Sequence, residues 1–302
     1  MRAVRSLEVV NVIKLPQDFA GPVLGFQWSP SSRLLLVANP SEIRVISALD
    51  GSFNATIRNA VAPGTKPAHV GFGASDAEIC VVASFGLKFA VYDLASSKAV
   101  EIGSPKLFSL LAASRCFAFR PQTHHLALLT RTAGKDLISL HTFPTRELQR
   151  SWAPDTIDAQ GLLWSPDGRW LLVWESAAQG HKLLFYTSDG HIFRTWSGPT
   201  SPAPEYKDYA AGAGIRTVQF SADARHLAIG DYSRSLYLFN MASVTETMRL
   251  QHPSSLVPRD TLQVRVSSHR YCREARRTRL IVNRFGRSRW VSHRQDRRFI
   301  PS

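Results

Sequence analysis

Few residues of this 302-residue chain have the types and spacing that chemistry requires. Two glycines in GFGASD, residues 71–76, could open a dinucleotide-binding turn, in which backbone amides approach a pyrophosphate. The third glycine is missing and the segment joins two strand-like runs, so it reads as a turn. Gly134-Lys135 offers the lysine of a phosphate loop, but Asp136 follows where Ser or Thr is required, and Leu129 stands where the first glycine belongs. His124 and His125 could ligate a metal; as neighbours in a β-turn they point in different directions and read as exposed turn residues. Asp155 and Asp158, in one loop, are expected to cap a turn rather than perform acid–base work. GxSxG and HExxH are absent. Asn54-Ala55-Thr56 is a glycosylation sequon by its letters only. Cys80, Cys116 and Cys272 stand far apart without a CxxC pair, which points to a reducing compartment. The expectation is a chain with no catalytic residue, no metal and no cofactor.

The formal charge of +14 would ordinarily indicate nucleic acid or an acidic membrane as partner. Its location argues otherwise. Residues 258–302 hold thirteen Arg, no Lys and three acidic residues, a net of +10, which leaves +4 for the other 257 residues. The body therefore has an ordinary charge balance. Arg2 and Arg5 precede no unbroken apolar run, and no segment approaches the roughly 18 apolar residues of a spanning helix. No membrane association is expected, and the compartment is read as cytosolic or nuclear.

The elements that must position these residues repeat. An aromatic ends the first strand-like run of each of five units, at Trp28, Phe72, Phe119, Trp164 and Phe220, with spacings of 44, 47, 45 and 56. A period of about 40–45 residues, four short strands per unit, is that of β-propeller blades. The long interval contains SGPTSPAPEYKDYAAGAG, residues 197–214, whose Pro, Gly and Ser content marks an inserted surface loop. In the first unit the strands read as VLGFQW, LLLVA, EIRVIS and FNATI; the fourth reads as GLLW, WLLVWE, KLLFYT and IFRTW. Only three strands are read in each of the other units. Second strands are apolar at consecutive positions, as strands covered on both faces must be. Helical periodicity is unpersuasive throughout. An antiparallel sandwich also has short strands, but does not require one turn at one phase five times. The fold class is thus all-β, a propeller of about five recognisable four-stranded blades over residues 1–257, incomplete, followed by a basic irregular tail over 258–302.

Asp50-Gly51, Asp167-Gly168 and Asp189-Gly190 are expected to be structural blade turns, with Gly supplying a positive φ and Asp bonding its own backbone. Trp152, Trp164, Trp170, Trp174 and Trp196 fall within 45 residues, four of them in predicted strands, and read as core. Glu205, Tyr206, Lys207, Asp208 and Tyr209, in the inserted loop, are the candidate partner contacts, being polar, aromatic and exposed.

Spacing and turns resemble the WD40-repeat β-propeller family. The blade-ending Trp-Asp of that family is represented by Tyr92-Asp93 and Phe239-Asn240. The Gly-His pairs at 180–181 and 190–191 flank a third strand instead of preceding a first strand. They are expected to stand outside the family's hydrogen-bonded tetrad, leaving the blades to depend more on packing. GLLWSPDGRWLLVWE, KLLFYTSDGHIFRTWS, GIRTVQFSADARHLAIGDYSRSLYLFN and LQHP, in that order, resemble consecutive blades of the WRAP-type WD-repeat family of centrosomes and fungal spindle pole bodies. The resemblance extends more weakly back to about Glu8 and stops near Val257. It implies a non-enzymatic, cytoplasmic and cytoskeletal scaffold that anchors microtubule minus ends with a coiled-coil partner at the pole. It also implies about seven units where this chain shows five.

Two readings of the tail stand open. An Arg-only stretch without strand alternation is what a translated intron or shifted frame of GC-rich sequence gives, a gene-model artefact. A functional arm is the other: REARRTR, residues 273–279, could direct nuclear import or bind phosphate backbones, with Phe285 and Trp290 for stacking. That arm would favour an unrelated WD40 adaptor acting in RNA handling or translation. An enzyme on a propeller would gather catalytic groups at the central channel from several blades, and no such set recurs at one phase.

Overall fold

A computed structural model describes residues 12–15, 17–19, 21–58, 60, 67–83, 88–96, 98–106, 116–199, 214–251, 263–265 and 281–283. Twenty strands form five four-stranded antiparallel sheets, and their order along the chain is their order in each sheet. Blade 1 contains β1 (Gly25–Trp28), β2 (Leu34–Ala38), β3 (Glu42–Ser47) and β4 (Phe53–Arg58); blade 2 contains β5 (His69–Phe72), β6 (Glu78–Val82), β7 (Phe89–Asp93) and β8 (Ala99–Gly103). Blade 3 follows with β9 (Phe117–Phe119), β10 (Leu126–Thr132), β11 (Lys135–His141) and β12 (Leu148–Trp152). Blade 4 is β13 (Ala159–Trp164), β14 (Trp170–Glu175), β15 (Leu183–Thr187) and β16 (Ile192–Trp196); blade 5 is β17 (Ile215–Phe220), β18 (His226–Asp231), β19 (Ser235–Asn240) and β20 (Thr245–Gln251). The one helical element among the described residues is a single 3-10 turn at Ala177–Gln179.

Consecutive apolar residues on the second and third strands feed two cores at once, because alternate side chains point to opposite faces. Leu172 and Phe185 pack towards blade 5 with Ile229, Tyr237 and Phe239. Leu171, Val173 and Leu184 pack the other way, against Ile138 and Leu140 of blade 3. Blades 1 and 2 meet through Leu36, Val45, Ile79 and Val81, and blades 2 and 3 through Cys80, Phe89, Val91 and Leu128. Each interface is a dry layer between sheets stacked face to face, and its stabilisation scales with the apolar area removed from water.

The ring does not close through the described residues. Blade 1 turns Val37 and Ile46 away from blade 2, and these are covered by Ile13, Leu15 and Phe19 of the preceding segment instead of by a sheet. In blade 5 the face opposite blade 4 carries the cross-strand pairs Leu236–Leu250 and Leu238–Met248. Met248 is 51% and Leu250 38% exposed.

The tail departs from the expected lack of strand structure in one respect. β21 (Gln263–Arg265) pairs antiparallel with β22 (Ile281–Asn283). Both are three-residue runs containing β-branched residues, which suit an extended backbone.

Candidate interaction surface

The turns that join first to second strands are built alike. Ser165 Oγ donates to Asp167 Oδ1 at 2.6 Å and Trp170 N donates back to Ser165 Oγ at 2.9 Å; Ser221, Asp223 and His226 repeat this at 2.6 and 2.9 Å. Gly168 has φ +67, and Ser32 and Ala224 hold the same turn position at φ +61 and +57. At the third-to-fourth-strand turns, Gly51 and Gly190 have φ +75 and +83. Asp50 accepts from Ser52 N at 3.1 Å and Ser52 Oγ at 2.8 Å. The Ser47 hydroxyl, with the Ser52 amide and hydroxyl, holds the Asp50 carboxyl at about 2. Asp189 accepts from the Thr187 hydroxyl, and Gly190 sits under the Trp152 ring of the neighbouring blade. The inserted-loop residues Glu205, Tyr206, Lys207, Asp208 and Tyr209 lie outside the described residues, as does REARRTR of the tail.

Three polar contacts between blades were not legible in the sequence. Asp231, at the end of β18, accepts from His181 Nε2 at 3.1 Å, Ser233 Oγ at 2.6 Å, Ser235 N at 2.7 Å and the Tyr237 hydroxyl at 2.9 Å. Burial alone would raise the Asp231 carboxyl, but these four donors outweigh it and hold its pKa below the ordinary value. Gly180-His181 is expected only to stand outside the family's tetrad, and His181 enters instead this network between two blades. His181 reaches the next blade from the loop between second and third strands, so a rule tied to the loop before a first strand misses it.

Arg146 and Glu78 form the second contact. The guanidinium Nη2 lies 2.6 Å from both Glu78 carboxylate oxygens, with Arg146 4% and Glu78 5% exposed. The Arg146 carbon centre lies 5.2 Å from the Phe119 ring centroid and 5.0 Å from that of Phe143. In the third, Lys106 Nζ meets Asp136 at 2.6 Å, Asp158 at 2.8 Å and the Ala159 carbonyl at 2.9 Å, and Arg131 also holds Asp158 at 2.7 Å. Asp158 is thus an ion-pair member rather than the expected turn cap; Asp155 pairs with Lys182 at 2.9 Å.

All five tryptophans of 152–196 lie in strands, Trp152 included; Trp164 and Trp174 are buried and the other three half-buried. His124 packs edge-on against Phe143 at 5.1 Å, and no group of three His, Cys, Asp or Glu that could hold a metal occurs among the described residues. No helix among them is long and apolar enough to cross a membrane. The surface offers apolar patches instead. Phe26 is 71%, Val23 49% and Trp28 41% exposed along β1 and its approach, and a groove of about 320 Å³ runs between β4 and the end of β7. Such an arrangement can bind protein by burying apolar surface and by pairing strand edges.

The crystal structure of the Myceliophteria thermophila Cps50 (Swd1) β-propeller domain superposes with a TM-score of 0.51 at 16% identity, covering 76% of this chain and 73% of that one. Mouse WD repeat-containing protein WRAP73 is 27% identical over 172 residues, 57% of this chain and 34% of its own. The chain is a WD40-type β-propeller. No family model matches this WD40-type chain. An uncharacterised WD repeat-containing protein of Schizosaccharomyces pombe is 23% identical to it over 261 residues, 83% of this chain and 50% of that protein. The chain spans half or less of the length of these two WD-repeat relatives.

Proposed function

We propose that this WD40-type propeller is a non-enzymatic protein-interaction scaffold of the cytoplasm and cytoskeleton, acting at the spindle pole or centrosome with a coiled-coil partner to anchor microtubule minus ends. The observation that carries the reading is the ordered motif set of the fourth and fifth blades, together with the 27% identity to mouse WRAP73 over 172 residues. The inserted loop, with Glu205, Tyr206, Lys207, Asp208 and Tyr209, is the proposed partner contact, and residues 1–257 are the proposed scaffold body.

A fluorescent fusion of the full chain, followed through mitosis, is expected to mark each spindle pole and to persist there after residues 258–302 are deleted. Diffuse label, or loss of the polar focus on tail deletion alone, counts against the reading. The double variant Tyr206→Ala/Tyr209→Ala is expected to disperse the focus at unchanged protein level. A focus unaltered by that variant removes the loop from the proposal.

A further inference from the structure

The same seat recurs between blades and is filled differently at one of them. The penultimate residue of the third strand is Tyr186 in blade 4 and Phe239 in blade 5, each buried and aromatic. Over each sits a tryptophan from the outer strand of the preceding blade. Trp152 lies 5.5 Å from Tyr186 and Trp196 lies 5.4 Å from Phe239, ring centroid to ring centroid. The register fixes these tryptophans, since Trp152 pairs with Ile138 and Trp196 with Leu183, each three residues before the one that follows the register shift on its own blade's third strand, His141 and Tyr186.

In blade 1 the same register pairs Ile43 with Ile57, and Ile57 packs against the same cluster, and lines the same groove, as Tyr92, the penultimate residue of β7. An aliphatic side chain thus stands where two other blades place an indole. The groove of about 320 Å³ lies at this seat, lined by residues 54–58 of β4 with Tyr92, Asp93 and Leu94. Its volume is at the lower end of the ~300–1,000 Å³ of ordinary binding pockets. Ala55, Ile57, Tyr92 and Leu94 are half-buried and supply the apolar part of a lining that Asn54, Thr56, Arg58 and Asp93 otherwise make polar.

Two further features select the occupant. β4 is the edge strand of its sheet, so its outward amides and carbonyls are open to another strand. Arg58 ends that strand, exposed and cross-strand from Glu42, with Asp18 near enough to feel its charge; it makes no direct ion pair among the described residues, and its side chain points to the face opposite Ile57. On a strand added alongside, a side chain entering the groove and one meeting Arg58 are therefore adjacent in sequence.

We propose that the seam between blades 1 and 2 binds an extended segment of a protein partner, which adds to the β4 edge, places an aromatic side chain over Tyr92 and sets an adjacent carboxylate against Arg58. This deepens the scaffold reading and rests on it only for the partner being a protein.

The test uses the full chain and a fluorescein-labelled synthetic peptide of alternating Thr and Val with one central Trp followed by Glu, read by anisotropy. Saturable micromolar binding is expected, weakened about tenfold or more when the peptide Trp becomes Ala. Ile57→Trp, which supplies the missing indole from within, is expected to abolish binding with the melting temperature kept or raised. Arg58→Glu, a surface change, is expected to weaken binding and to be rescued when the peptide Glu becomes Lys. Absence of binding, equal binding of the Trp and Ala peptides, or binding indifferent to both protein variants overturns the proposal. So does a concentration-dependent dimer that Ile57→Trp abolishes, which would make a second copy the occupant. None of these results bears on the location of the fusion protein, so the two readings fail separately.

Discussion

At Gly190 the chain has φ +83, and a Cβ placed there would come within 2.7 and 2.8 Å of two ring carbons of Trp152. Backbone strain and collision with a neighbouring blade act together. Gly190→Val is expected to destabilise the fold by about 1–3 kcal/mol from the backbone alone, with overpacking adding to it. Thermal unfolding checks this: an unchanged midpoint sinks the assignment, and Trp152→Ala in the same chain should recover the overpacking part while leaving the strain. The Asp231 network gives a second test through pH. Its carboxyl is held below the ordinary value, so its stabilisation is complete above the unfolded pKa and is lost as pH falls through the folded one. Asp231→Asn lacks that contribution at every pH. The gap in unfolding free energy between the two proteins should be widest near neutrality and close as pH falls through the ordinary carboxylate range and below it. Urea titrations at a series of pH values read it, and a constant gap contradicts the ionic account. The Asp-Gly turns were legible because Gly and its hydrogen-bonding neighbour are local. His181 and Asp231 stand 50 residues apart, and a bond between them has no local signature.

Strands vary in legibility for a physical reason. The boundaries read for the second and third strands of blade 1 match β2 and β3, because those strands are covered on both faces and must be continuously apolar. The outer strands β8, β12 and β20 went unread in the sequence. AVEIG, LQRSW and TETMRLQ are edge strands with mostly exposed or polar side chains, so hydrophobic pattern says little about them. Each outer strand instead joins its neighbour through a register shift, such as that between Val45 and Ile46 or between Leu140 and His141. Contacts that hold one blade to the next were equally hidden, since they join residues far apart in sequence. Arg146 belongs to the outer turn of blade 3, and its partner Glu78 begins β6 of blade 2. Removing one member of a buried pair strands the other charge. Arg146→Ala is expected to cost about 3–5 kcal/mol, and Arg146→Met with Glu78→Gln considerably less than the two single changes together. Chemical denaturation of the four proteins measures the coupling, and additive losses contradict a bridge.

A propeller is held by mutual burial around a ring, so its weakest places are wherever a blade face meets no other blade. The two exposed faces here are finished differently. On blade 1, Phe19 is 8% exposed against Val37 and Ile46, and Asp18 reaches Arg44 at 2.8 Å, so a short segment seals the centre of the sheet and leaves Phe26 at its inner edge. Blade 5 has no comparable cover among the described residues, and Leu236, Leu238, Met248 and Leu250 form a continuous apolar face. Apolar area of this kind drives association at roughly 25 cal/mol per Å² buried, offset by the entropy of joining two molecules. The isolated chain is accordingly expected to self-associate through blade 5, with the face of blade 1 contributing less. In sedimentation velocity over a range of concentrations, Met248→Lys/Leu250→Lys should shift the chain towards monomer. Leu148→Lys, at a leucine 60% exposed on the outer strand of blade 3, should leave the distribution unchanged. A wild-type chain that sediments as one monomer and melts in one cooperative transition would show instead that a single chain covers its own blade 5 face, and the segment doing so could then be found by its protection from proteolysis.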